Sequence, residues 1–334
     1  ASQVKRYPQI ADKIIFQRTR GDIYMAESNN RARGNRQSRE RTRDDRRRER
    51  ANAAVAHTAE MHDRLGTEIE RSVRETRFYD EIPAAPAGRE TSVPSVSVVD
   101  MDSVSAVLEL GRGRADMCDL AVLDFASFTY PAGAYIRGAM AQEEALCQES
   151  FLYNVLSRFE GWFAENRRHN INCELYRDRA LVVPKVRFER ERFHSYADVI
   201  VAAAPNLKRA KVNYHVLESD LTRSMRSRVR LVLGIADVLG HDKLVLGAFG
   251  CGVFGWDALR VARIFAEELA TGKHVASQVT FAVPKGRRDE NLEMFQHVFA
   301  TFPEANEEPY ASAPEPAPAS HKEDEAEDDW RKYL

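Results

Sequence analysis

The chain has 334 residues, 43% hydrophobic and 30% charged, with a formal net charge of -2. That length and apolar content support one large α/β domain or two modest ones with a self-sufficient core, and exclude a small disulfide-framed fold. The near-zero charge hides an asymmetry: residues 1–50 carry 15 Lys/Arg against 7 Asp/Glu, and residues 304–334 carry 10 Asp/Glu against 3 Lys/Arg.

Cys118, Cys147, Cys173 and Cys251 are far apart, without a CxxC pair, and the nine histidines form no HxxxH pair. This spacing predicts a reducing compartment, no structural zinc and no other metal site. No apolar run reaches the roughly 18 residues of a membrane span, and the first residues lack the apolar core of a secretory signal. The expectation is an intracellular protein, cytoplasmic or nuclear, with no membrane partner.

In chain order, residues 1–44 read as a basic arm. The stretch "ESNNRARGNRQSRERTRDDRRRER" (27–50) is too polar to bury a face. It is a solvated linker or entry helix, or an arm that meets polyanions through clustered arginines. Residues 45–94 read as a helical lead-in, with Ala54, Val55, Met61, Leu65 and Ile69 near helical spacing and a proline-rich break before Ser95. From 95 to 303, strands at 95–100, 119–126, 179–188, 197–205, 243–249 and 278–285 alternate with helices near 103–111, 139–158, 217–239, 257–270 and 290–302. Continuous apolar strands such as "LVLGAF" require a sheet covered on both faces, hence a three-layer α/β/α domain with an N-terminal helical extension. Residues 304–334 combine Pro/Ala repeats with an acidic block and read as a disordered tail, inert or docking through Trp330 and Tyr333.

Three strand ends carry candidate chemistry, because ligands of open α/β sheets bind at the carboxyl ends of strands. In "VLDFASFTYPAGAYIRGAMAQEEALC", a strand delivers Asp124 and Ser127, a loop with little side-chain bulk follows at 131–134, and Glu143 and Glu144 open a helix. Taken alone, the two carboxylates fit simple helix-start chemistry, favoured by the helix dipole. In "LVLGAFGCGVFGW", Gly250, Gly252 and Gly255 form GxGxxG between strand and helix, where bare backbone N–H groups cradle phosphate. A nicotinamide-cofactor site is discounted because no acidic residue ends the next strand, "VTFAVPKG". In "ADVIVAAAPN", Asn206 places an amide at a turn, which taken alone reads first as structural.

Together these segments resemble the microbial-type poly(ADP-ribose) glycohydrolases, macrodomain-like enzymes. "DFA", "PAGA" and "GAMAQEE" follow the family's NFA, P-G-G-G and G-A-x-A-Q-E-E in order, "LVLGAFGCGVFGW" is similar to LVLGAWGCGVFGN, and "AAAPN" and "RSVRETRFYDE" match further segments over about 45–303. The resemblance implies a macrodomain-like mixed sheet and hydrolysis of the ribose–ribose O-glycosidic bond of poly(ADP-ribose) without a cofactor. It implies that Glu144 is the catalytic acid/base, that Glu143 holds ribose hydroxyls, and that Gln142 supports both. Asp124, Ala132, Gly133, Ala134 and Asn206 would contact ligand, and Gly250, Cys251, Gly252, Val253, Phe254 and Gly255 would form the diphosphate loop. The partners implied are ADP-ribose or poly(ADP-ribose) on modified proteins.

The family's three glycines are Ala132, Gly133 and Ala134 here, its strand-end asparagine is Asp124, and its asparagine after GVFG is Trp256. Methyl groups at two loop positions are expected to shift the loop or crowd the ligand. The alternative expectation is therefore a weak or inactive macrodomain that binds ADP-ribose or serves as a structural or interaction protein.

Overall fold

A computed structural model describes residues 11–84, 87–286 and 289–312, with side chains from Thr42 onward. The first ten residues of the basic arm and most of the acidic tail, including Trp330 and Tyr333, lie outside the described residues.

The arm and the lead-in form one helix, α1 (Ala11–Glu75), broken only at Leu65, where φ is -123° just before Gly66. Ala54, Met61, Leu65 and Ile69 are buried as their spacing requires, but Val55 is 60% exposed: one residue past Ala54, it is turned about 100° off the buried stripe. The helix stops earlier than its sequence suggests. Thr76 turns its hydroxyl onto the Ser72 carbonyl at 2.8 Å, and β1 (Arg77–Tyr79) pairs antiparallel with β4 (Ala180–Arg190).

The remaining strands are β2 (Ser95–Val99), β3 (Leu120–Phe125), β5 (Phe193–Ala202), β6 (Lys243–Leu246) and β7 (Gln278–Ala282). They form one mixed sheet in the order β1-β4-β5-β3-β6-β7-β2. Strands β5, β3, β6, β7 and β2 run parallel, and β4 and β1 add an antiparallel edge. Each central strand alternates between two cores. Ala121, Leu123, Val182 and Ile200 face one side, against α6 (Leu207–Tyr214), α7 (Glu218–Leu239), α8 (Ala258–Leu269) and α9 (Asn291–Phe299). Leu120, Val122, Val183 and Val199 face the other, with α1, α2 (Ser103–Leu110), α3 (Gln142–Gln148), α4 (Leu152–Leu156) and α5 (Glu160–His169). Period-2 alternation with both faces apolar makes this a three-layer α/β/α sandwich.

The single helix expected over 139–158 is broken into pieces. At its interruption the Glu149 carbonyl accepts from Glu189 N at 2.8 Å and Ser150 bridges to Phe188, so this backbone joins the β4 ladder. The Ser150 hydroxyl donates to the Leu146 carbonyl at 2.6 Å and accepts from Leu152 N at 3.1 Å, stitching α3 to α4. Helix α6, absent from the sequence reading, is started by Asn206, whose Oδ1 accepts from Arg209 N at 3.1 Å.

Candidate active site

The parallel strands β3, β5, β6 and β7 all end at one side of the sheet, and the loops leaving them enclose a cleft of about 1570 Å³. Its lining includes Ser127–Tyr130 after β3, Lys208 and Arg209 at the start of α6, Gly250 and Phe254 after β6, and Lys285 after β7. Gln142, Glu143 and Glu144 in the first turn of α3 complete the wall.

Each of these three side chains is aimed by backbone. Gln142 is a clamp on β3: its Oε1 accepts from Phe125 N at 2.8 Å and its Nε2 donates to the Leu123 carbonyl at 2.9 Å. Glu143 Oε2 accepts from Ser127 N at 2.8 Å, and Glu144 Oε1 accepts from Ala134 N at 3.2 Å. Both carboxyls are buried, at 4% and 6% exposure. Burial raises the pKa of each, and for Glu143 the neighbouring Asp124 and Glu144 push it further, well above the usual carboxylate range.

Asp124 lies beneath them. It is fully buried, neither carboxylate oxygen has a partner, and burial together with the Glu144 charge raises its pKa strongly. In the alternation of β3 it shares the face of Leu120 and Val122, toward α3, and it is not part of the cleft wall.

The loop before α3 answers the expectation of crowding. Gly133 has φ +55°, and a methyl there would stand 2.9 Å from Glu144 Oε1 and 3.0 Å from Glu143 Oε2. Glycine is retained where a side chain would collide with both carboxyls. Ala134 has φ -118°, ordinary for any residue, and contributes its N–H to Glu144. Ala132 takes φ +53° and is completely buried, so its methyl points into the core and not into the cleft. That conformation costs roughly 1–2 kcal/mol of local strain.

The glycine loop after β6 is similarly divided. Gly250 (φ +80°) and Gly255 (φ +78°) need their conformation, and a methyl on Gly250 would strike Ala204 and Trp256 at 2.9 Å. Around Gly252 the space is open, and with Val253 and Phe254 it faces the cleft. Cys251 turns its thiol back toward the Phe249 carbonyl at 3.8 Å. Trp256 is a buried anchor: its Nε1 donates to the Pro205 carbonyl at 2.7 Å, tying this loop to the turn after β5. Asp124, Ala132, Asn206, Cys251 and Gly255 thus sit behind the wall, and the other singled-out residues line it.

The structure adds residues the sequence did not point to. Phe128 stacks on Tyr176 with ring centroids 4.4 Å apart and 9° between planes, with Phe254 edge-on to Tyr176 at 6.3 Å. Arg167 lies over the Tyr130 ring at 4.6 Å and donates to the Thr129 carbonyl. Phe128 immediately follows the "DFAS" motif and could have been noticed; Arg167 and Tyr176 reach the site from distant segments with no local signal.

An apolar, aromatic end, a glycine-lined middle and a buried carboxyl pair suit a ligand with a flat ring, phosphates and a reacting sugar. A family model described as the catalytic domain of microbial-type poly(ADP-ribose) glycohydrolase matches residues 49–191. No curated protein matches the chain. Among solved structures, poly(ADP-ribose) glycohydrolase from Thermomonospora curvata bound to the inhibitor ADP-HPD is 28% identical, with a TM-score of 0.63 over 75% of this chain and 100% of that one. The Deinococcus radiodurans enzyme in complex with ADP-ribose is 30% identical, with a TM-score of 0.58 over 68% of this chain and 95% of that one. The ordered motifs, the parallel strand ends that gather them and these likenesses agree: the chain belongs to the microbial-type poly(ADP-ribose) glycohydrolase family.

Proposed function

We propose that the protein hydrolyses the ribose–ribose O-glycosidic bond of poly(ADP-ribose) in the cleft beneath the glycine loops, with Glu144 as acid and then base. The observation that carries this reading is the retained Gly133, whose bare backbone leaves room beside both buried glutamates. Cleavage passes through an oxocarbenium-like state. In its protonated form, which burial favours, Glu144 gives its proton to the departing ribose oxygen, and the resulting carboxylate takes a proton from the attacking water. Glu143, held by Ser127 N–H, orients ribose hydroxyls, and Gln142 fixes the turn against β3. Phe254, packed edge-on against the buried Phe128–Tyr176 stack, offers apolar surface for the adenine, and Gly252 to Phe254 offer backbone to the diphosphate. The intact glutamate pair and open loop favour turnover over a binding-only role. Arg43, Arg46 and Arg50 of α1 also border the cleft and suit the phosphates of further polymer units. No helix among the described residues is long and apolar enough to cross a membrane.

The test is release of ADP-ribose from poly(ADP-ribose)-modified protein. Glu144→Gln is expected to lower turnover by about 10²–10⁴-fold, the usual contribution of a positioned acid/base, while calorimetric ADP-ribose affinity changes little. Binding without release in the unmodified protein, or full activity in Glu144→Gln, would sink the mechanism.

A further inference from the structure

At the opposite end of the sheet, three chemically different donors meet. Asp198 opens onto this region from β5, in register with Ala121 and three residues before the level of Asp124, roughly 10 Å along the strand from the cleft end. Its Oδ2 lies 3.0 Å from His241 Nε2, and its Oδ1 lies 3.8 Å from Cys118 Sγ. The sulfur, carboxylate and imidazole donor atoms all fall within 4.8 Å of one another. Cys118 comes from the turn before β3, and His241 from the turn between α7 and β6. No two of them are near in sequence.

We propose that Cys118, Asp198 and His241 form a zinc site, separate from the glycohydrolase cleft, with its fourth position open to solvent. Tetrahedral zinc at ordinary bond lengths places sulfur and oxygen roughly 3.5 Å apart and nitrogen and oxygen roughly 3.3 Å apart, close to the 3.8 Å and 3.0 Å that the two Asp198 oxygens keep from Cys118 and His241, and a side-chain adjustment that brings sulfur and nitrogen onto one oxygen completes the set. Thiolate and imidazole select a borderline-soft ion over magnesium or calcium. Asp198 is buried at 8% exposure, whereas Cys118 and His241 are only partly covered, which gives an ion a way in.

Asp198 is also oriented from behind. A bulge in β4 between Val183 and Val186 puts Lys185 at φ +52°, and its N–H donates to Asp198 Oδ1 at 2.8 Å. A lysine held in the left-handed region to satisfy one carboxylate oxygen, far from the cleft, is the kind of outer support that ligating carboxylates receive. The nearby Asp119 is held through Oδ2 by Lys243 at 3.0 Å and Arg112 at 3.1 Å, while its Oδ1 is buried without a partner. Binding replaces the thiol proton of Cys118, and His241 ligates through Nε2 with its own proton carried on Nδ1, so zinc uptake releases the thiol proton.

The experiment is calorimetric titration of the chelator-treated full chain with Zn²⁺ in two buffers of different ionisation enthalpy, with Co²⁺ as a spectroscopic probe. One equivalent is expected to bind with proton release, and Co²⁺ is expected to give a thiolate charge-transfer band. Cys118→Ser should abolish that band, and His241→Gln should weaken zinc binding at least tenfold, the low end of the effect of losing even a supporting group. Both variants should retain glycohydrolase turnover, which also reports that they are folded. Cys173→Ser, at the exposed cysteine, should change nothing. Absence of binding, or binding that survives in both Cys118→Ser and His241→Gln, overturns the proposal.

Discussion

Asp124 is costly to ionise. Both of its oxygens are buried without partners, and Glu144 stands nearby, so its proton is held far more tightly in the folded chain than in the unfolded one. A carboxyl whose folded pKa is raised stabilises the fold fully below its unfolded pKa, and that contribution is lost as pH rises toward the folded value. Asp124→Asn removes this titration. The melting temperature of the variant is therefore expected to fall less between about pH 4 and pH 8 than that of the parent, with the variant the more stable at the alkaline end. Parallel thermal melts across that range check this, and identical pH profiles would show that Asp124 carries no such load. The aspartate is visible in the sequence as a departure from the family's asparagine, but its meaning is not: without a position for α3, it reads as a ligand contact. The alanines show the same gap. Whether a methyl at 132 or 134 crowds the ligand depends on φ and on which way the Cβ points, neither of which a motif records.

At the scale of elements, α1 departs furthest from its sequence reading. Its arginines look like a separate arm because the stretch has no apolar face, and periodicity does not register polar contacts to another segment's backbone. In the fold it is clamped: Arg47 Nε donates to the Arg137 carbonyl at 2.9 Å, Arg50 Nε to the Gly138 carbonyl at 2.8 Å, and Gly138 (φ +75°) leaves the space that the α1 backbone occupies. The grip falls on the turn leading into α3, so the basic helix and the turn before Glu143 and Glu144 share one mount. Elements set by hydrophobic pattern, such as α7 and β3, are legible in the sequence; α6 and the breaks around Ser150 depend on capping and on pairing with β4, which pattern does not encode. With Arg43 and Arg46 beside the cleft, replacing both by serine is expected to weaken poly(ADP-ribose) binding more than ADP-ribose binding. The log–log salt dependence should become shallower by roughly 0.7 for each phosphate that is no longer neutralised. Binding isotherms on the Glu144→Gln background at several salt concentrations measure this, and an unchanged slope would remove α1 from the polymer path.

For the whole molecule, the cleft is where the two core layers on either face of the sheet meet. One core packs α6 to α9 on the sheet, the other packs α1 to α5, and the cleft wall draws on both: Glu143 and Glu144 from the α3 side, Lys208 and the loop after β6 from the α8 side. Arg46 and Arg50 bring residues 45–94 to the same cleft, so a ligand that reaches them and the glutamates touches one cooperative unit only if 45–94 and 95–303 fold as one body. We expect that they do, since Met61 and Ile69 of α1 are as buried as the strand residues in their core. Binding to the folded state alone adds about 2.7 kcal/mol when ADP-ribose is present at about 100 times its dissociation constant. For a domain of this size that corresponds to a rise of roughly 5 °C in melting temperature. The rise should appear as a displacement of one calorimetric transition, with α1 amides gaining hydrogen-exchange protection along with those of β3 and β6. If α1 instead melts in a separate, ligand-insensitive transition, the lead-in helix is only docked on the domain, and its arginines meet the polymer from outside the folding unit.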